Sequence, residues 1–103
     1  MEIVNIWYEF EEWDEKIDET DCNADVVFEL QDGSKWCASF YTFQNLLSLN
    51  RKNCMTGECL SGTYFYANKP IFISRMKKAI ILSVIHDILQ NGSPSDAFVQ
   101  IHP

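Results

Sequence analysis

Asp32-Gly33 constrains this chain more than any other pair of residues. It sits between two alternating apolar runs, VVFEL (26–30) and KWCASFY (35–41). Gly supplies the positive φ that a tight hairpin turn needs, so the pattern predicts two antiparallel strands joined at Asp32-Gly33. Val26, Phe28 and Leu30 share one face of the first arm, and Trp36, Ala38 and Phe40 share one face of the second. The hairpin therefore offers one side to a core and turns Glu29 and Gln31 to water.

The remaining segments build outward from that hairpin. MEIVNIWYEF (1–10) is rich in β-branched and aromatic residues and reads as a strand. Between Glu11 and Asn23 the apolar pattern thins to Trp13, Ile17 and Cys22 among carboxylates, which predicts an acidic loop or short helix. Thr42 can cap a helix carrying Phe43, Leu46, Leu47 and Leu49, ended by Asn50-Arg51-Lys52-Asn53. TYFYA (63–67) and IFIS (71–74) read as strands about a turn at Asn68-Lys69-Pro70. Ser74 can cap a second helix, apolar on several sides from Met76 to Leu89, with Gly92 as its stop. Residues 93–103 form either a loose tail or, through AFVQI (97–101), a closing edge strand. At 103 residues the chain suits one domain over 1–103 that hides roughly two-thirds of its unfolded surface. The expected fold is α+β, an antiparallel sheet with two helices packed on it.

Charge is distributed unevenly. Residues 1–32 carry twelve acids and one base, and residues 33–103 carry three acids and seven bases, for a net charge of −7. Such a field repels phosphates, which argues against direct nucleic-acid binding, and it speeds encounter with a basic protein. The cations Arg75, Lys77 and Lys78 open the second helix, the unfavourable end for positive charge, and are expected to be neutralised by the N-terminal acids. No apolar run approaches the ~20 residues of a membrane span. The N-terminus lacks the basic start and apolar stretch of a secretory signal. The expectation is a soluble cytoplasmic protein with no membrane partner.

The chain holds no glycine-rich phosphate loop, no G-x-S-x-G and no His-Glu-x-x-His, so the reading is not an enzyme. Cys22, Cys37, Cys54 and Cys59 read as reduced thiols, and their spacing predicts neither a metal nor any other cofactor. What remains is Glu9, Glu11, Glu12, Trp13, Asp14, Glu15, Asp18, Glu19 and Asp21. Carboxylates steer and pair with Lys or Arg while an aromatic side chain supplies a desolvated anchor, the combination an inhibitor of a basic protein needs. Trp13 is read either as that anchor or as a side chain folded back onto the core.

The stretches DGSKWCASFYTFQNL (32–46) and TGECLSGTYFYANKPIFI (56–73), followed by a long apolar helix, resemble small immunity proteins of bacterial contact-dependent growth-inhibition systems. The resemblance implies a cytosolic protein that binds and neutralises a cognate toxin domain. Many such toxins are nucleases, and an RNase is the first choice. The acid bias agrees independently with a basic nuclease whose active site is masked by an acidic surface. The alternative is a self-associating adaptor or structural domain, a homodimer paired through the edge strand at 97–101. A thiol or metal enzyme would instead show bound zinc or a low-pKa cysteine.

Overall fold

The Asp32-Gly33 hairpin is the centre of the sheet. In the computed structural model, which describes residues 2–102, β2 (Asn23–Leu30) pairs antiparallel with β3 (Lys35–Thr42) in the register Val26↔Ala38 and Phe28↔Trp36. Gly33 takes φ 87°, and the Asp32 carboxylate accepts hydrogen bonds from the Ser34 amide and hydroxyl at 2.9 and 2.6 Å. β1 (Ile3–Tyr8) lies antiparallel on the other side of β2. The far edge of β3 is divided: β5 (Val99–Ile101) pairs antiparallel with residues 35–37, and β4 (Pro70–Ile73) runs parallel to residues 39–42.

Alternation sends Val26, Phe28, Leu30, Trp36, Ala38 and Phe40 to one face, where they form the core with Tyr8, Ile73, Met76 and Phe98. Burying a side chain of this size contributes about 1.5–3 kcal/mol. α3 (Lys78–Asn91) covers this face and buries Ile81 and Ile85. The chain thus forms one α+β domain built on a five-stranded sheet.

The two long helices have different roles. α1 (Phe43–Thr56) places no side chain in the core; its buried residues are Asn45 and Asn53. It is tied to the end of the sheet through its first turns. Thr42 is the N-cap, its hydroxyl accepting from the Asn45 amide at 3.2 Å. Asn45 also accepts from Asn23 Nδ2 at 2.9 Å and donates to Asp21 Oδ1 at 3.0 Å, and Ser48 Oγ donates to Asp21 Oδ2 at 2.6 Å.

Several local expectations give way to tertiary context. TYFYA (63–67) is not a strand, because β4 and β5 already occupy the edge of β3 that it would need. Its aromatics act as side chains instead, Phe65 meeting the Tyr41 ring edge-on at 5.6 Å. α1 does not end at Asn50–Asn53 but continues to Gly57, whose φ of 86° provides a left-handed cap and whose amide donates to Asn53 O at 3.0 Å. Arg51 and Lys52 are tolerated on a helix face that meets solvent, while Asn53 turns inward and is buried. Beyond it α2 (Glu58–Gly62) winds left-handed through Cys59, Leu60 and Ser61, all at φ between 52° and 56°. This return makes β4 parallel to β3, where a hairpin would have made all neighbours antiparallel. α3 starts at Lys78, with Lys77 at the N-cap position and no side-chain cap, so Ser74 precedes the helix rather than capping it. Residues 93–102 are held by β5 and by the buried ring of Phe98.

Candidate functional site

The acidic segment begins where strand alternation stops. Past Tyr8 the chain closes a 3-10 turn over Glu9–Glu12. Phe10 sets its ring 5.6 Å from that of Tyr8, and the Trp13 amide donates to Phe10 O at 3.4 Å. Ile17 and Cys22 pack against the core. Glu19 O accepts from the Met76 amide at 2.8 Å, and Cys22 O accepts from the Thr42 amide at 3.1 Å. The loop is pinned at several points along its length.

Those pins divide the nine expected site residues into two groups. Glu9, Glu11, Glu19 and Asp21 turn inward to the fold. Glu9 Oε1 accepts from the Asp25 amide at 3.0 Å, just beyond the end of β1. Glu11 meets Lys78 Nζ at 2.7 Å, and Glu19 lies 3.8 Å from Lys77 Nζ. Lys78 also sits 5.1 Å from the centre of the Tyr8 ring. These half-exposed ion pairs contribute little to stability, but they neutralise Lys77 and Lys78 at the start of α3. Arg75, expected to be neutralised with them, is exposed and has no ion pair among the described residues. Asp21 is committed to α1 through Asn45 and Ser48.

Glu12, Trp13, Asp14, Glu15 and Asp18 instead line one open groove of about 570 Å³, together with Lys16, Ile17 and Cys22. Trp13 is 38% exposed and stands outside the core cluster. Among the described residues Asp14 and Glu15 have neither a side-chain hydrogen bond nor an ion pair. Trp7 is the contributor that sequence reading missed: its indole donates to Glu12 Oε1 at 2.8 Å and orients that carboxylate from the neighbouring strand. Its signal was present, since both faces of residues 3–10 are largely apolar and one of them has no core to enter.

Electrostatics within the loop favour charge on carboxylates and oppose it on sulfur. Bonds from the Thr20 hydroxyl and amide, at 2.8 and 3.0 Å, hold Asp18 below the usual carboxylate range. Burial, reinforced by Asp18, Asp21 and Glu19, pushes the Cys22 thiol up, and burial with Asp25 and Glu9 does the same to Cys37. A nucleophilic or metal-binding cysteine needs the opposite shift. Among the described residues no group of three or more His, Cys, Asp or Glu is placed to hold a metal ion, and no helix is long and apolar enough to cross a membrane.

The Asp18 geometry makes a pH prediction. Its folded-state pKa is depressed, so its contribution to stability is present above the unfolded carboxylate pKa and is lost as pH falls through the folded value. Thr20→Val removes the hydroxyl donor and should move the Asp18 midpoint back up toward the ordinary range in an NMR titration of its carboxyl carbon. An unmoved midpoint would show that the hydroxyl is not the cause.

No protein-family model, curated protein or solved structure matches this chain.

Proposed function

We propose that the chain is a cytoplasmic immunity protein of a contact-dependent growth-inhibition system. It acts without catalysis, binding a cationic toxin domain and masking that domain's active site. The toxin is a nuclease, with an RNase as first choice. The observation that carries this reading is the groove at 12–18, where a 38% exposed tryptophan stands among four carboxylates, two of which, Asp14 and Glu15, have no internal partner among the described residues. Fixed negative charge flanking an accessible aromatic ring suits a cleft lined by Lys and Arg, because the acids can stand where substrate phosphates would. The ring supplies the desolvated contact that long-range attraction alone lacks.

Titration against the product of the adjacent upstream gene tests the proposal. Tight binding that weakens with salt and abolishes nuclease activity is expected. Trp13→Ala combined with Asp14→Asn and Glu15→Gln should weaken binding about 30- to 100-fold and flatten its salt dependence. Among the described residues Asp14 and Glu15 make no side-chain bond and Trp13 lies outside the core cluster, so thermal stability should hold. Undiminished affinity in the triple variant would remove the groove from the interface.

A further inference from the structure

The sheet has a second face, opposite the core, and half of it has no cover among the described residues. Register places Trp7, Val27, Cys37 and Val99 side by side across four strands on this face. The next row, one pleat along, is Asn5, Glu29, Lys35 and Ile101. Trp7 is 43% exposed, and Val99 and Ile101 are each 39% exposed. Toward α1 the same face is closed by side chains, with Phe65 on Tyr41 and Phe43 stacked on Phe72 at 6.3 Å. The open half is thus an apolar strip across the middle of the sheet.

Carboxylates border that strip on its β1 and β2 side. Asp25 and Glu29 alternate with Val27 on β2, Glu9 is fixed to the Asp25 amide, and Glu12 is bound to the Trp7 indole. Asp25 and Glu9 lie near enough to the Cys37 thiol to help raise its pKa. Lys35, opposite Glu29, is the face's only cation among the described residues. A shallow cavity of about 180 Å³ beside Trp7 is lined by Asn5, Val27, Glu29 and Lys35 as well as the indole, with Ile6 and Phe28 beneath. Its lining suits a long cationic side chain, whose methylenes would lie on Val27 while its charge meets Glu29 and the indole face.

We infer that this open half of the outer sheet face is a docking surface for a cationic protein segment, seating a Lys or Arg side chain beside Trp7. The inference rests on the function proposed above and extends the contact area from the 12–18 groove onto the sheet, through the hydrogen bond between Trp7 and Glu12. An apolar strip alone would suit a second copy of the chain equally well. The four carboxylates against the single Lys35 decide against that occupant, since two such net-negative faces would repel each other.

Cys37 is a native reporter at the middle of the strip, and exposed Cys54 on α1 is its internal control. Maleimide labelling of both thiols should be followed by mass spectrometry with and without the product of the adjacent upstream gene. The expected result is at least tenfold slower labelling of Cys37 in the complex, with Cys54 unchanged. Val99→Lys, on an exposed edge position, should weaken binding several-fold without altering the unfolding midpoint. Binding with Cys37 labelled at its free rate would overturn the sheet-face inference and leave the proposed function standing. Absence of any binding would overturn both. Concentration-dependent protection of Cys37 in the chain alone would assign the face to a second copy and overturn the inference.

Discussion

Phe98→Ala is expected to lower the unfolding free energy by about 3–5 kcal/mol, read as a large fall in the urea midpoint. The ring is 1% exposed and meets Phe28 edge-on, with centroids 5.0 Å apart and planes at 85°. Its loss removes buried area, leaves a cavity over the centre of the sheet and forfeits an aromatic pair of about 0.5–1.5 kcal/mol. The consequence spreads beyond one side chain. All three residues of β5 are exposed, so Phe98 is the fully buried anchor of the C-terminal segment. Its backbone carbonyl and that of Ser95 also receive Lys69 Nζ, at 3.4 and 2.6 Å. A domain of this size holds about 5–15 kcal/mol in total, so the variant should be close to unfolding at elevated temperature. Val99→Ala, one residue on and facing solvent, should cost less than about 1 kcal/mol. Similar midpoints for the two variants would mean that the C-terminal segment is not anchored by its phenylalanine.

The second large effect is expected at Asp21. Asp21→Ala should destabilise the protein by about 2–4 kcal/mol, since hydrogen bonds to a charged group contribute about 1.5–3 kcal/mol each and act as a network here. The carboxylate receives Asn45 Nδ2 and Ser48 Oγ, and Asn45 is 8% exposed, so its amide would lose a charged partner at a largely buried position. α1 has no side chain in the core, and these polar bonds are a main tie between it and the sheet. Amide exchange should therefore accelerate across Phe43–Thr56 while Lys78–Asn91 remains protected. Asp21→Asn, which keeps one acceptor, should recover part of the loss. Uniform acceleration in both helices would indicate global destabilisation and overturn the picture of α1 as a separately tethered arm.

Local chemistry made the central part of the fold legible. The β2–β3 hairpin follows from Asp32-Gly33 and two alternating arms, and its inward residues are those buried in the core. The Thr42 cap was equally local, because a hydroxyl three residues before a free amide needs no distant partner. The neutralisation of Lys77 and Lys78 could be anticipated because cations at a helix start are unfavourable and acids were abundant nearby. Strand identity at 63–67 was not legible: β propensity describes a fit to a pleated surface, and whether an edge is free depends on the whole sheet. The same limit hid the parallel direction of β4.

The candidate site divides along the same line. That residues 9–21 would carry concentrated negative charge beside an aromatic ring is a property of the chain itself, since charge count and spacing do not depend on folding. Which carboxylates remain available is decided only in three dimensions. Glu11 and Glu19 meet lysines more than fifty residues away, Asp21 holds α1, and Glu12 is oriented by an indole from β1. Each of those choices depends on the sheet bringing distant segments within a few ångströms, which periodicity along one segment cannot encode. The open outer face arises in the same way. Alternation specifies that strands have two sides, but only packing determines that α3 covers one of them while α1 leaves half of the other bare.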